Sequence, residues 1–291
     1  MLIDTHCHLN DPSFAGRLPE VIARAREAGI GACIVPAYDR ASLPRTAELA
    51  RQYPHFIAPA YGLHPWFLGQ GMDIDALRQY LVQPGTVAVG EVGLDFSPEC
   101  PPPEAQLEPF GTQLDLAAEL GLPVLIHCRK AHDELLKVLT RYKGKLRGVL
   151  HSFSGGRDMA LRFIELGFHI AFSGSVTRTT AKKYHKTAAG IPLDFLLVET
   201  DAPSIATQAT PASQVEPLHT AEVARAIAGL RGSTFEEIAQ ATTGNAGRLF
   251  NLNIIPNAGN DRDRSLQTQG RGLSPPAGGH KARPFNEDKN F

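Results

Sequence analysis

Leu2-Ile3-Asp4-Thr5-His6-Cys7-His8 opens the chain as a short apolar run ending in a cluster of ionisable side chains. An apolar strand gains no stability by ending in His or Asp, so the cluster needs another reason. His6 and His8 are two residues apart, and on an extended backbone both imidazoles project to one side while Cys7 points away. One strand can thereby supply two metal ligands. Taken alone, the His-x-His pair fits an ordinary polar strand end as well.

The same kind of run recurs along the chain, at Leu2–Thr5, Ala32–Ala37, Phe56–Tyr61, Thr86–Glu91, Pro123–His127, Gly148–Ser152, Phe168–Phe172 and Phe195–Glu199. Between the runs lie segments with helical spacing, among them Pro19–Ala28, Ser42–Gln52, Ile74–Leu81, Pro103–Leu120, His132–Tyr142, Asp158–Leu166 and His219–Ala228. Gly29, Gly121, Gly167 and Gly229 stand where C-terminal caps would close several of them. Strand then helix, eight times, implies parallel pairing, because parallel neighbours need a crossover. A single-domain α/β fold, the (β/α)8 TIM barrel, satisfies this pattern, with a doubly wound open sheet as the other solution. No Gly-x-Gly-x-x-Gly follows the first strand, which counts against a dinucleotide-binding sheet.

Placing the ionisable residues on these strands puts them all at carboxyl ends. Strand three ends in Gly62-Leu63-His64-Pro65, strand four in Gly90-Glu91, strand five in His127, strand six in His151 and strand eight in Glu199-Thr200-Asp201. In a barrel those ends converge on one mouth, where barrel enzymes carry their active sites. Four imidazoles (His6, His8, His127, His151) and two carboxylates (Glu91, Asp201) exceed the needs of one tetrahedral ion. They suit two divalent ions sharing a bridging carboxylate. Mixed His and carboxylate donors accommodate Zn2+ or Mn2+ and, less comfortably, Mg2+.

Composition bounds the alternatives. The 291 residues are 43% apolar and 20% charged, with 29 basic and 30 acidic side chains and a net charge of −1. Such a balance lacks the basic signature of a duplex clamp, so any nucleic-acid contact must be local. No apolar run of about 18 residues is present, which predicts no membrane span, and the N-terminus lacks signal-peptide character, which predicts a cytoplasmic protein. Cys7, Cys33, Cys100 and Cys128 form no Cys-x-x-Cys pair and read as reduced thiols. Residues 251–291 hold five Gly, four Pro and ten apolar residues without periodicity. They are expected to be a disordered tail, leaving 1–250 as the barrel.

Six strings carry a resemblance: DTHCHL at Asp4–Leu9, GLHP at Gly62–Pro65, GEVGLD at Gly90–Asp95, IHCR at Ile126–Arg129, HSFSG at His151–Gly155 and ETDAP at Glu199–Pro203. In this order they resemble the signature of TatD-type metal-dependent hydrolases within the amidohydrolase-like barrels, and Thr243–Phe250 is similar to that family's closing helix. The resemblance implies phosphodiesterase chemistry on DNA, of the 3′-5′ exonuclease type. It places His6, His8 and Asp201 on one metal, His127 and His151 on the other, and Glu91 between them. It also gives His64 and Arg129 as contacts to the substrate phosphate.

On this expectation a metal-bridged hydroxide attacks the phosphodiester, Asp201 accepts a proton, and the chain works as a monomer. Glu199 should point inward in a supporting role. His55, His132, His169, His185, His219 and His280 carry no assigned role. One departure bears on the substrate: no Arg or Lys lies between Pro203 and Ala224, where the family's nucleases contact it. Trp66, Phe67 and Phe153 are the candidates for a base-stacking platform. The competing reading keeps the metals and hydrolyses an amide or ester of a small molecule.

Overall fold

The computed structural model describes residues 1–252 apart from Met72. Its strands are β1 (Leu2–Asp4), β2 (Ile30–Pro36), β3 (Ile57–Tyr61), β4 (Ala88–Asp95), β5 (Val124–Arg129), β6 (Gly148–Leu150), β7 (Phe168–Phe172) and β8 (Leu196–Val198). They pair in parallel in chain order. One helix follows each of the first seven strands: α1 (Leu18–Glu27), α2 (Ser42–Gln52), α3 (Ile74–Leu81), α4 (Pro103–Leu120), α5 (His132–Thr140), α6 (Arg157–Glu165) and α7 (Lys182–Gly190). Two follow the eighth, α8 (Thr220–Arg231) and α9 (Phe235–Phe250). This is the TIM barrel that the alternation predicts. No described helix is long and apolar enough to cross a membrane.

The sheet closes where β8 meets the residues just past β1. Thr5 N donates to Val198 O (3.2 Å) and Asp201 N to His6 O (2.8 Å). Side chains reinforce this seam, because the Asp4 carboxylate accepts from Thr200 N (3.0 Å) and Thr200 Oγ1 (2.6 Å). Strand alternation then sorts residues into two cores. Ile3, Ile34, Ala60, Leu125, Val149, Ala171 and Leu197 fill the barrel, while Cys33, Val35, Ile126, Leu150, Ile170 and Val198 pack outward against helices. Ala246, Leu249 and Phe250 of α9 join the inner cluster. Asn245 fixes this helix by donating to the carbonyls of Leu193 and Leu196, at the amino end of β8. The amino end is thus plugged, and the carboxyl end is left for function.

Four details differ from expectation. Strand β4 runs four residues past Glu91, to Asp95. Gly93 permits this: it has φ 154° and faces His127 in the register, and a Cβ there would lie 2.0 Å from the His127 carbonyl oxygen. Gly229 is not a cap but lies inside α8, which ends at Gly232 in the left-handed region (φ 64°). Helix α7 has no counterpart among the segments of helical spacing, because only Thr187 and Ala188 of its nine residues are buried, leaving almost no apolar period. Asn251 caps α9 and Leu252 packs on the inner core, so both belong to the barrel. The rest of the expected tail lies outside the described residues.

His169 on β7 lies against Phe195, ring centroids 5.2 Å apart. Burial, abetted by the charge of Arg248, pushes its pKa down to about 4. The unfolded chain therefore binds this proton first as pH falls below about 6.5, and stability drops until the folded-state pKa is reached. His169→Gln should remove about 3 kcal/mol of acid sensitivity between pH 6.5 and 4, read as a flatter dependence of the urea midpoint on pH. An unchanged dependence would contradict the assignment.

Candidate metal centre

The barrel gathers all six expected ligands at its mouth. His6 and His8 follow β1, Glu91 lies in β4, His127 in β5, His151 directly after β6 and Asp201 three residues past β8. None is more than 5% exposed. Strand alternation gives the directions of two of them: His127 is two beyond the inward Leu125, and His151 two beyond the inward Val149. Asp201 adopts φ 54°, a left-handed conformation that turns the chain at the rim.

Glu91 organises the cluster through its two oxygens. Oε2 lies 3.3 Å from His6 Nε2 and 3.5 Å from His8 Nε2. Oε1 lies 2.8 Å from His151 Nε2 and 3.2 Å from His127 Nδ1. Asp201 Oδ1 belongs to the first group, at 3.8 Å from His6 Nε2 and 3.5 Å from His8 Nε2. The two halves touch where the His6 and His151 rings stack at 3.9 Å.

This donor set fits divalent ions. Nε2 of His6 and His8 are 3.1 Å apart, as are His127 Nδ1 and His151 Nε2 at 3.2 Å. A tetrahedral ion with nitrogens at about 2.0–2.1 Å requires ligand spacings of roughly 3.3 Å. The buried Glu91 Oε2 and Asp201 Oδ1 accept no hydrogen bond among the described residues, although imidazole nitrogens surround both. Lone pairs converging in this way suit a cation.

The electrostatics are strongly coupled. Burial would raise the Glu91 carboxyl, but the charge of His151 and the bond from His127 hold it well below the usual carboxylate range. His6 is driven down by burial and by its neighbour His151. Burial also opposes the charged form of His127, yet bonds to Asp95 and Glu91 outweigh it and push its pKa up to about 9.

Several supporting residues escaped the sequence reading. Asp95 Oδ2 lies 3.0 Å from His127 Nε2 and accepts from Trp66 Nε1 (2.8 Å), so it fixes the ring that turns Nδ1 toward Glu91. Two glutamines on one face of α4 hold the strand ends in turn. Gln106 exchanges bonds with the Asp95 backbone (2.8 and 2.6 Å), and Gln113 with that of Leu63 (2.8 and 3.2 Å). Sequence offered one signal for Asp95, its place in the GEVGLD string. The glutamines, seven apart inside a helix, offered none. Glu199 points inward as expected, accepting from Ser152 N and lying 3.6 Å from His151 Nδ1.

The two residues expected to contact substrate occupy different places. Arg129 lines a cleft with His127, His151, Ser175, Tyr184 and Asp201. His64 is fully buried, its Nδ1 accepting from Trp66 N (3.1 Å) and its Nε2 3.5 Å from Glu91 Oε1. Burial first, and His127 second, lower its pKa well below 6.5, so it is neutral. It sits inside the donor cluster, with Glu91 and His127, and not on the open cleft. Phe153 is 2% exposed and packs against His132 and Phe163, which removes it as a base platform. Trp66 and Phe67 stay partly exposed, and Tyr38 joins them, 5.5 Å from Phe67 and 5.3 Å from His8.

Asp95→Ala should free the His127 ring and lower divalent-ion affinity by about 10- to 100-fold, measured by titration calorimetry against the unaltered protein. Equal affinity in the two proteins would show that Asp95 does not position a ligand.

Comparison with known proteins agrees with this geometry. A family model described as TatD related DNase matches residues 3–251. The uncharacterized metal-dependent hydrolase YjjV of Escherichia coli K12 is 39% identical over 254 residues, 86% of this chain and 98% of YjjV. A 3′-5′ ssDNA/RNA exonuclease TatD of Erwinia tasmaniensis is 35% identical over 259 residues, 86% of this chain and all of that protein. The crystal structure of the E. coli YjjV superposes with a TM-score of 0.79 at 37% identity, covering 88% of this chain and 98% of that one. The protein is therefore a metal-dependent hydrolase and belongs to the TatD related DNase family.

Proposed function

We propose that the mouth is a two-metal phosphodiesterase centre that trims single-stranded nucleic acid, DNA foremost, from its 3′ end. The observation that carries the reading is the division of Glu91, with Oε2 facing His6, His8 and Asp201 and Oε1 facing His127 and His151. These residues would hold the two ions, which when bound neutralise phosphoryl charge and acidify water. Zn2+ or Mn2+ suits the imidazole-rich set better than Mg2+. The 3′-5′ direction and the single-stranded substrate are supported by the name of the Erwinia relative.

The chain's own residues do the rest. Arg129, on the cleft wall beside His127, anchors a phosphate oxygen with a planar fork of donors. Asp201 lines the same cleft, and its second carboxylate oxygen would accept a proton from the attacking water. Glu199 and Asp95 keep the His151 and His127 rings in place, so the site is set before substrate arrives. His64, neutral and against Glu91, supports the carboxylate more directly than it meets a phosphate.

A metal-reconstituted sample should release mononucleotides from 3′ ends of labelled single strands and hydrolyse phosphodiester dyes; cleavage of a small-amide panel alone would overturn the reading. Glu91→Ala should lower turnover by at least about 10^3-fold and reduce the metal content by elemental analysis, since one carboxylate serves both halves. Arg129→Ala should raise KM on DNA by about 10-fold with metal content unchanged. A normal KM would remove Arg129 from the phosphate site.

A further inference from the structure

The cations missing after β8 are supplied by another part of the mouth. Between Glu165 and Asp194 the chain holds no carboxylate, yet it carries Arg178, Lys182, Lys183 and Lys186. Arg178 caps the tight turn after β7 (Gly174–Thr177), and the three lysines lie on the first turns of α7, at the carboxyl end of the barrel. Lys182, Lys183 and Lys186 are exposed. Some surface cations find carboxylates, as Arg17 and Arg24 do at Glu216, Arg78 at Glu119 and Lys137 at Glu134. The three lysines of α7 have none within ion-pair distance among the described residues.

The segment adjoins the cleft. Ser175 of the turn and Tyr184 of α7 both line it, alongside Arg129. His132, whose pKa is lowered by burial first and by the charge of Lys183 second, begins α5 just beyond Arg129 and Lys130. Arg178 donates to Ala206 O (3.4 Å), tying the cationic turn to the cation-free loop after β8. Tyr38, Trp66 and Phe67 form a separate aromatic group by His8 and His64. The mouth therefore offers both unpaired positive charge and ring faces, the two components that hold a single strand.

We infer that the turn and α7, through Arg178, Lys182, Lys183 and Lys186 with Tyr184, form the track that holds the phosphate backbone of a single-stranded nucleic acid leading into the cleft. This rests on the phosphodiesterase reading for what happens at the end of the track, but the binding itself is separable. Each phosphate neutralised on a single strand contributes about −0.7 to the slope of log affinity against log salt.

The test compares Lys182→Gln/Lys183→Gln/Lys186→Gln with a charge-matched control, Lys143→Gln/Lys145→Gln/Arg147→Gln. The control residues are also exposed, but they precede β6 at the far end of the barrel. Labelled phosphorothioate DNA and RNA oligonucleotides, which resist cleavage, report binding by anisotropy, and bis(p-nitrophenyl) phosphate reports chemistry. The α7 variant should bind roughly 10- to 100-fold more weakly at low salt and lose about 2 from its salt slope. The control should bind as the unaltered protein does, and both variants should keep small-diester turnover. The DNA and RNA arms tell which strand the track prefers. Unchanged binding in the α7 variant, an equal loss in the control, or a charge-matched oligoglutamate binding as tightly as the oligonucleotides would overturn the track. Failure of the unaltered protein to hydrolyse the diester, with α7-dependent binding intact, would instead overturn the phosphodiesterase reading alone.

Discussion

Burying a carboxylate at the centre of a barrel costs several kcal/mol unless charge or hydrogen bonds compensate it. Glu91, 1% exposed, is compensated from opposite sides by histidines drawn from β1, β5 and the end of β6. Much of the surrounding structure serves that arrangement. Gly93 lets β4 approach β5 closely enough for His127 to reach Oε1. The extra length of β4 delivers Asp95 to the back of the same imidazole. Asp4, by gripping Thr200, fixes the distance between the His6 strand and the loop of Asp201.

Rigidity reaches this centre through backbone groups more than through packing. Gln106 and Gln113 are almost wholly buried, where an unpaired amide would be expensive, and each spends both ends of its amide on the main chain of a strand terminus. A helix on the outside of the barrel thereby sets the positions of His64 and Asp95 within it. The mouth is stiff on the β3–β4 side, whereas the side formed by the turn after β7 and by α7 presents exposed lysines.

Eight apolar runs and the residues near their ends made the barrel and the donor cluster at its mouth legible, because the carboxyl ends of parallel strands must converge. His6 and His8 could be read as a pair from period two alone. What stayed hidden depended on contacts distant in sequence. Asp95 was hidden because β4 reads as finished at Glu91, and only the Gly93–His127 approach shows that it continues. Gln106 and Gln113 look like ordinary helix surface until α4 is seen against β4 and the loop after β3. Phe153 looked like a rim aromatic because nothing local reveals that Phe163 and His132 cover it. Helix α7 lacked an apolar stripe because its outer face is charged.

The seam between Asp4 and Thr200 joins residues 196 apart, and it sets a schedule for synthesis. Asp201 follows His6 and His8 out of the ribosome by roughly 10–40 s at ordinary elongation rates. Until then the nascent chain carries an imidazole pair with no carboxylate from β8 and an open sheet edge on β1. The full donor set is therefore complete only once the loop after β8 has been made and the seam with Asp4 has closed.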